Sequence, residues 1–170
     1  VKDDALHERL RFVQNSSGGT PGPMDCFLVL RGIKTLHLRM QRHCENGEAI
    51  ARWLVKHPKV DRVHWPGFEN DPGHAIAQKQ MRGFGGMVSF TLKGDHMDDA
   101  MKVLSSTQLF ALAESLGGVE SLIGHPASMT HASIPREERM TNGLADTLIR
   151  LSVGLEDKDD LIEDLEQALG

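Results

Sequence analysis

Tyrosine is missing altogether from the 170 residues, so no chemistry that needs a phenol can be supplied by this chain itself. Cysteine is scarce. Cys26 and Cys44 form neither a CxxC pair nor any zinc-type spacing, which excludes a thiolate metal site. They read as two reduced, partly buried thiols, the usage of a cytosolic protein. No apolar run approaches the ~20 residues needed to span a bilayer, and "VKDDALHERL" has no apolar signal-peptide core. The cytoplasm is the expected compartment, with no membrane partner. A basic excess is also lacking. Lys and Arg number 19 against 24 Asp and Glu, a net charge of −5, which argues against a phosphate-tracking face and hence against a nucleic-acid partner.

What is present is ordinary globular composition, 39% hydrophobic and 25% charged, enough for one domain with its own core. Leu6, Leu10 and Val13 recur at helical spacing in residues 2–16, and "NSSGGTPGP" then marks a loop. From Met24 a long helical pattern follows, with Gly32 as a point where it can divide. Its apolar stripe is Leu36, Met40, Cys44, Ile50, Ala51 and Leu54, and "HPKV" ends it. "VDRVHW" reads as a strand, "GHAIAQKQM" as a helix, "MDDAMKVLSS" as a helix and "QLFALAES" as a strand. In "GMVSFTLKG", Val88, Phe90 and Leu92 alternate with Met87, Ser89 and Thr91. "TLIRLSVG" is a further strand. A last helix begins near Asp157, with Leu161, Leu165 and Leu169 buried and the acidic residues of "EDKDDLIEDLEQALG" on its solvated side. A long helix followed by interleaved strands and helices predicts an α/β or α+β arrangement: a small sheet with helices packed on one face.

Three segments draw attention for chemistry. In "TLIRLSVG", Ile149, Leu151 and Val153 share one face, and Leu148, Arg150 and Ser152 the other. An arginine bracketed by leucines calls for an anionic partner, either an internal Asp or Glu or the carboxylate of a small ligand gripped by the guanidinium fork. In "AESLGG", Glu114 and Ser115 precede two glycines that permit positive φ, which suits either a strand-ending turn or close approach to a ligand. In "HPASMTHAS", His125 and His131 are six apart, not a helical metal pair; Thr130 and His131 read as hydrogen-bonding loop residues. "RGFGGM" reads as a turn into the following strand. No nucleophile, base and orienting group stand together as a catalytic set.

Taken together, "DCFLVLRGIKTLHLRM", "GFGGMVSFTLKG", "LAESLGGVESLIGHPASMTHA" and "DTLIRLSVGLEDKDDLIEDL" resemble, in order and over essentially the whole chain, the C-terminal part of the pyridoxal-phosphate enzymes of transsulfuration. These are the cystathionine γ-synthases, cystathionine γ-lyases and their relatives of cysteine and methionine metabolism. The resemblance implies a fold-type I C-terminal domain, with a small, mainly antiparallel sheet preceded by a long linking helix. It implies that Arg150 grips the α-carboxylate of an amino-acid substrate, that Ser115 lies beside that carboxylate, and that Thr130 lines the same pocket. Glu114 would receive the distal ammonium of cystathionine, where methionine γ-lyases carry a small apolar residue.

The same resemblance implies what this stretch does not carry. The cofactor lysine lies in a TKYxxGHSD-like context that no lysine here shares, and the tyrosines and the phosphate-binding glycine loop are not present. Pyridoxal 5'-phosphate would then be bound by an upstream domain. Residues 1–30 would close that domain, and residues 31–170 would form the substrate-side domain. The full enzyme would be a homotetramer acting on a small amino acid, and the 170 residues alone would be inactive. The γ-synthase and γ-lyase readings stay open, as does a non-catalytic isolated domain.

Overall fold

The computed structural model describes residues 1–94 and 96–170. Two compact units emerge, Val1–His37 and Leu38–Gly170. In the first, α1 (Asp4–Ser17) starts where the Asp3 carboxylate accepts the Leu6 N–H at 2.7 Å. It ends at Gly18, whose φ of 67° is the left-handed conformation that closes many helices. The helix α2 (Pro23–Ile33) opens with proline at its first position, where no amide hydrogen is needed, and Asp25 accepts the Gly22 N–H. The long helical pattern does divide, just after Gly32: the chain turns at Lys34 and Thr35 before α3 (Leu36–Leu54) begins. Cys26, expected to be partly buried, is exposed, because α2 turns no side chain into a core of its own unit.

The second unit carries the sheet. Its remaining elements are β1 (Val60–His64), α4 (His74–Gln80), β2 (Met87–Leu92), α5 (Met97–Ser106), β3 (Ala111–Leu112), β4 (Leu122–Gly124), α6 (Arg136–Thr141), β5 (Leu148–Ser152) and α7 (Lys158–Leu169). The strand order is β1-β2-β5-β4-β3, antiparallel throughout except for the β3–β4 pair. Val88, Phe90 and Leu92 point with Ile149, Leu151 and Val153 into one core, against Ile50 and Leu54 of α3, Val103 and Leu104 of α5, and Leu161, Leu165 and Leu169 of α7. The expected arrangement of helices on one sheet face is what forms, because each of those strands alternates and each of those helices carries an apolar stripe.

Three expectations need correction. The buried face of α3 is His43, Asn46, Gly47, Ile50, Ala51 and Leu54, whereas Leu36 and Met40 are exposed. The polar pair is buried because it satisfies backbone elsewhere. His43 Nδ1–H donates to the Val153 carbonyl at 2.7 Å, and Asn46 Nδ2 donates to the Gly154 and Glu156 carbonyls at 3.0 and 2.8 Å. Gly47 permits the approach, since a Cβ there would meet the Gly85 carbonyl oxygen at 2.5 Å.

Second, the "QLFALAES" strand shrinks to Ala111–Leu112. Ala113 N–H still reaches the Ile123 carbonyl, but the carbonyls of Glu114 and Ser115 go to Arg150 instead of a neighbouring strand. Third, the acidic residues of the last helix are not all solvated. Asp164 is buried and accepts the N–H groups of Gln108, Leu109 and Phe110 at 2.7–3.0 Å. Burial would raise its carboxyl pKa, but those three donors, with the Gln167 side-chain amide, outweigh it and hold the group below its usual range.

Candidate functional site

The sheet face away from α3, α5 and α7 carries Arg150. In the ladder it stands opposite Ser89 on β2 and Gly124 on β4. Glycine at 124 leaves room for the guanidinium, whose Nη2 lies 3.8 Å from where a Cβ would stand, with the Ala113 carbonyl oxygen at 3.1 Å. Arg150 Nη2 donates to the Glu114 carbonyl at 2.9 Å and to the Ser115 carbonyl at 3.4 Å. Among the described residues no carboxylate pairs with Arg150, so the internal ion pair is not what holds it. Its Nε–H and Nη1–H groups stay unengaged by those residues and remain donors for an anion.

Arg150, Glu114 and Thr130 line one narrow crevice, together with Gly124, His125 and Met129, with no room for a water molecule in this structure. Ser115 adjoins it through its carbonyl. Glu114 contributes only its carbonyl to the protein, and its exposed side chain makes no hydrogen bond with the described residues. Thr130 Oγ1 lies 2.7 Å from His131 Nδ1, the local loop hydrogen bond that the sequence pattern suggests.

Sequence reasoning missed the residues that hold this loop. His125 is buried; its Nε2–H donates to the Asp146 carbonyl at 2.8 Å, and its Nδ1 accepts from Ser128. The same Asp146 uses its carboxylate to accept from Arg136 and from the buried Arg139. The Arg136 hydrogen bond is the largest influence on that carboxyl, and with Arg139 it overcomes burial to hold it below the usual range. An arginine at 136 and 139 with an aspartate at 146 was the available signal, but it has no periodicity to mark it.

A roomier hollow lies beside α5 and the end of α7, lined in part by Lys59, Asp99 and Lys102. It contains none of the candidate residues. Two of its lysines are engaged: Lys59 donates to the Leu169 carbonyl at 2.6 Å, and Lys102 meets Asp99 at 3.5 Å. Among the described residues no cluster of His, Cys, Asp and Glu is arranged to hold a metal, and no helix is long and apolar enough to cross a membrane.

A family model described as Cys/Met metabolism PLP-dependent enzyme matches residues 1–170. The chain belongs to this family. It is 57% identical to cystathionine gamma-lyase of Dictyostelium discoideum over 169 residues, 99% of this chain and 43% of that protein. It is 59% identical to cystathionine beta-lyase of Coxiella burnetii over 164 residues, 96% of this chain and 42% of that protein. In structure it resembles the cystathionine gamma synthase of Xanthomonas oryzae pv. oryzae, solved in complex with cystathionine. The TM-score is 0.91 at 47% identity, over 99% of this chain and 43% of that one. The chain thus spans less than half the length of these Cys/Met metabolism relatives. The fold is that of the corresponding part of a PLP-dependent enzyme, as expected.

An aldehyde cofactor needs an amine to hold it. Among the described residues no lysine lines the Arg150 cleft, and the chain has no tyrosine to stack on a pyridine ring. The residues lining the Arg150 crevice therefore offer no amine to which an aldehyde cofactor could attach.

Proposed function

We propose that this chain is the substrate-side part of a PLP-dependent enzyme of cystathionine metabolism, acting by γ-elimination on cystathionine or by γ-replacement on a homoserine ester. The observation that carries the reading is Arg150: a guanidinium tethered at one nitrogen to the Glu114 and Ser115 carbonyls, with its Nε–H and Nη1–H unengaged by the described residues, beside a crevice that Glu114 and Thr130 also line. Its role is to bind. Charge-assisted hydrogen bonding from its remaining N–H groups fixes the α-carboxylate of the substrate and so orients its Cα, a proximity contribution and not bond-making. Ser115 flanks that carboxylate, Thr130 closes the opposite wall, and the Glu114 carboxylate receives a distal ammonium. That last role favours cystathionine over a methionine γ-lyase type of substrate.

In this reading residues 1–30 close a cofactor domain and residues 31–170 form the substrate-side domain. The pyridoxal 5'-phosphate lysine lies outside the chain, the full enzyme is a cytoplasmic homotetramer, and the 170 residues alone are inactive. Met24, Phe27, Leu28 and Leu30 of α2, each more than half exposed, support the existence of a further packing partner. The test is Arg150→Ala in the full-length enzyme, assayed with cystathionine and with O-succinylhomoserine. KM rises about a hundredfold if the guanidinium grips the carboxylate, the scale of a lost charge-assisted pair. An unchanged KM overturns the assignment, and the preferred substrate separates lyase from synthase.

A further inference from the structure

We infer that Ser152 is a positioning residue for the proposed carboxylate site: its hydroxyl holds the Glu114–Gly117 turn so that Ser115 and the Arg150 guanidinium stay in register. This rests on the reading of Arg150 given above. Ser152 follows Arg150 by two residues on β5 and therefore shares its face of the sheet. Ser152 pairs with Met87 on one side and Leu122 on the other, so its backbone belongs to the ladder. Its side chain is buried, and its Oγ accepts the Gly117 N–H at 2.8 Å. Gly117 has a φ of 79°, a left-handed conformation that a side chain would strain.

Two neighbouring side chains of one strand thus hold one turn by complementary groups. Arg150 supplies donors to the carbonyls of residues 114 and 115, and Ser152 supplies an acceptor to the N–H of residue 117. The turn has little else. Ala113 N–H to the Ile123 carbonyl secures it on one side, and Leu155 N–H to the Val119 carbonyl on the other. Between them, among the described residues, only Arg150 and Ser152 hydrogen-bond residues 114–118. With Arg150 alone, the turn is free to pivot about the carbonyls that also orient the guanidinium. The bond to Ser152 removes that freedom, so the cleft geometry depends on a hydroxyl that itself faces the loop and not the ligand.

The experiment is made on the full-length enzyme with Ser152→Ala and, as the conservative variant, Ser152→Thr. Amide hydrogen exchange across residues 113–121 is read beside steady-state kinetics. Ser152→Ala speeds exchange in that segment by roughly fivefold to tenfold, the factor one hydrogen bond represents. Exchange in β2 and α7 stays unchanged. KM rises by a similar factor while kcat stays within about twofold, and Ser152→Thr, which keeps a hydroxyl, restores both. In an Arg150→Lys background Ser152→Ala adds no further rise in KM, because the two act through one contact. Should Ser152→Ala fail to fold, Ser152→Cys keeps the volume, loses most of the acceptor strength and reads the same quantities. Unchanged exchange at 113–121, a fall in kcat at constant KM, or independent multiplication of the two substitutions overturns the inference. A wild-type enzyme that turns over no amino acid overturns the reading of Arg150 itself, and the exchange measurement then decides the clamp alone.

Discussion

The two halves of the sheet are built on different principles. The strands β1, β2 and β5 run five or six residues each and pair along their length, with one irregularity between Val60 and Arg62. The strands β4 and β3 contribute three and two residues. The long half satisfies its backbone by the ladder and its side chains by alternation. The short half has too few ladder bonds, so side chains take over. Glu156 accepts the Ser121 N–H at 2.7 Å, Asp164 takes the three N–H groups at 108–110, and Arg150 and Ser152 take the 114–117 turn. A backbone freed from the ladder can be shaped around a ligand; Glu114, Ser115 and Thr130 lie on such backbone, whereas Arg150 stands in the ladder on β5. Arg150 is the joint between the halves, since β5 belongs to both.

That contrast can be broken at neighbouring positions of one strand. Ile149, fully buried against the helices, belongs to the scaffold. Ile149→Ala should cost about 2–5 kcal/mol of unfolding free energy by leaving a cavity, read from denaturant midpoints, with KM nearly unaffected in whatever enzyme remains folded. Arg150→Ala should do the converse. It raises KM by about a hundredfold, equivalent to about 2.7 kcal/mol of binding, while stability falls by only ~1 kcal/mol for its lost bonds to two carbonyls. If both substitutions moved both quantities alike, the division between scaffold and site would be wrong.

Gly47 sharpens the comparison from the scaffold side. A Cβ there meets backbone, the Gly85 oxygen at 2.5 Å and Gly86 Cα at 2.9 Å, which cannot yield as a flexible side chain would. Gly47→Ala should destabilise by about 1–3 kcal/mol, measured by thermal or denaturant unfolding, despite alanine's better helix propensity. A stabilised variant would show that the α3 contact with the 85–86 turn is looser than described.

The smallest effect concerns acid. Arg136 and Arg139 hold the Asp146 carboxyl below its usual 3.8. The folded-state pKa is therefore depressed. As pH falls, the unfolded chain takes the proton first, so the stabilisation is complete above about pH 4 and fades as pH drops through the folded value. Asp146→Asn should lower the melting temperature at neutral pH and flatten its decline below pH 4. A decline as steep as in the wild type would place the acid sensitivity elsewhere, with Asp164 the next carboxylate to test.

Much of the scaffold is legible in the residues alone. Val88, Phe90 and Leu92 announce a half-buried strand, and Leu161, Leu165 and Leu169 announce the face of α7, because burial of apolar groups repeats with the geometry of the element. Of the candidate site, Arg150 stands out as a charge among leucines, and "ESLGG" as a carboxylate and a hydroxyl before flexible backbone. What stays hidden are polar side chains whose task is a distant backbone group. His43 and Asn46 bond carbonyls 108 to 110 residues away, and no local period reports such a partner. Asp164 looks like one more solvated acid on an acidic helix until the 108–110 turn is brought to it.

The sequence by itself determined the alternating strands, the apolar helix faces, the family, and the presence of an arginine whose charge needs a partner. Only the tertiary structure decided that this partner is no carboxylate of the described residues, that the carbonyls of Glu114 and Ser115 leave the sheet for the guanidinium, and that Ser152 accepts the Gly117 N–H of the same turn. Apolar burial is written into local periodicity, whereas a hydrogen bond is decided by which donor and acceptor the fold brings within 3 Å of each other.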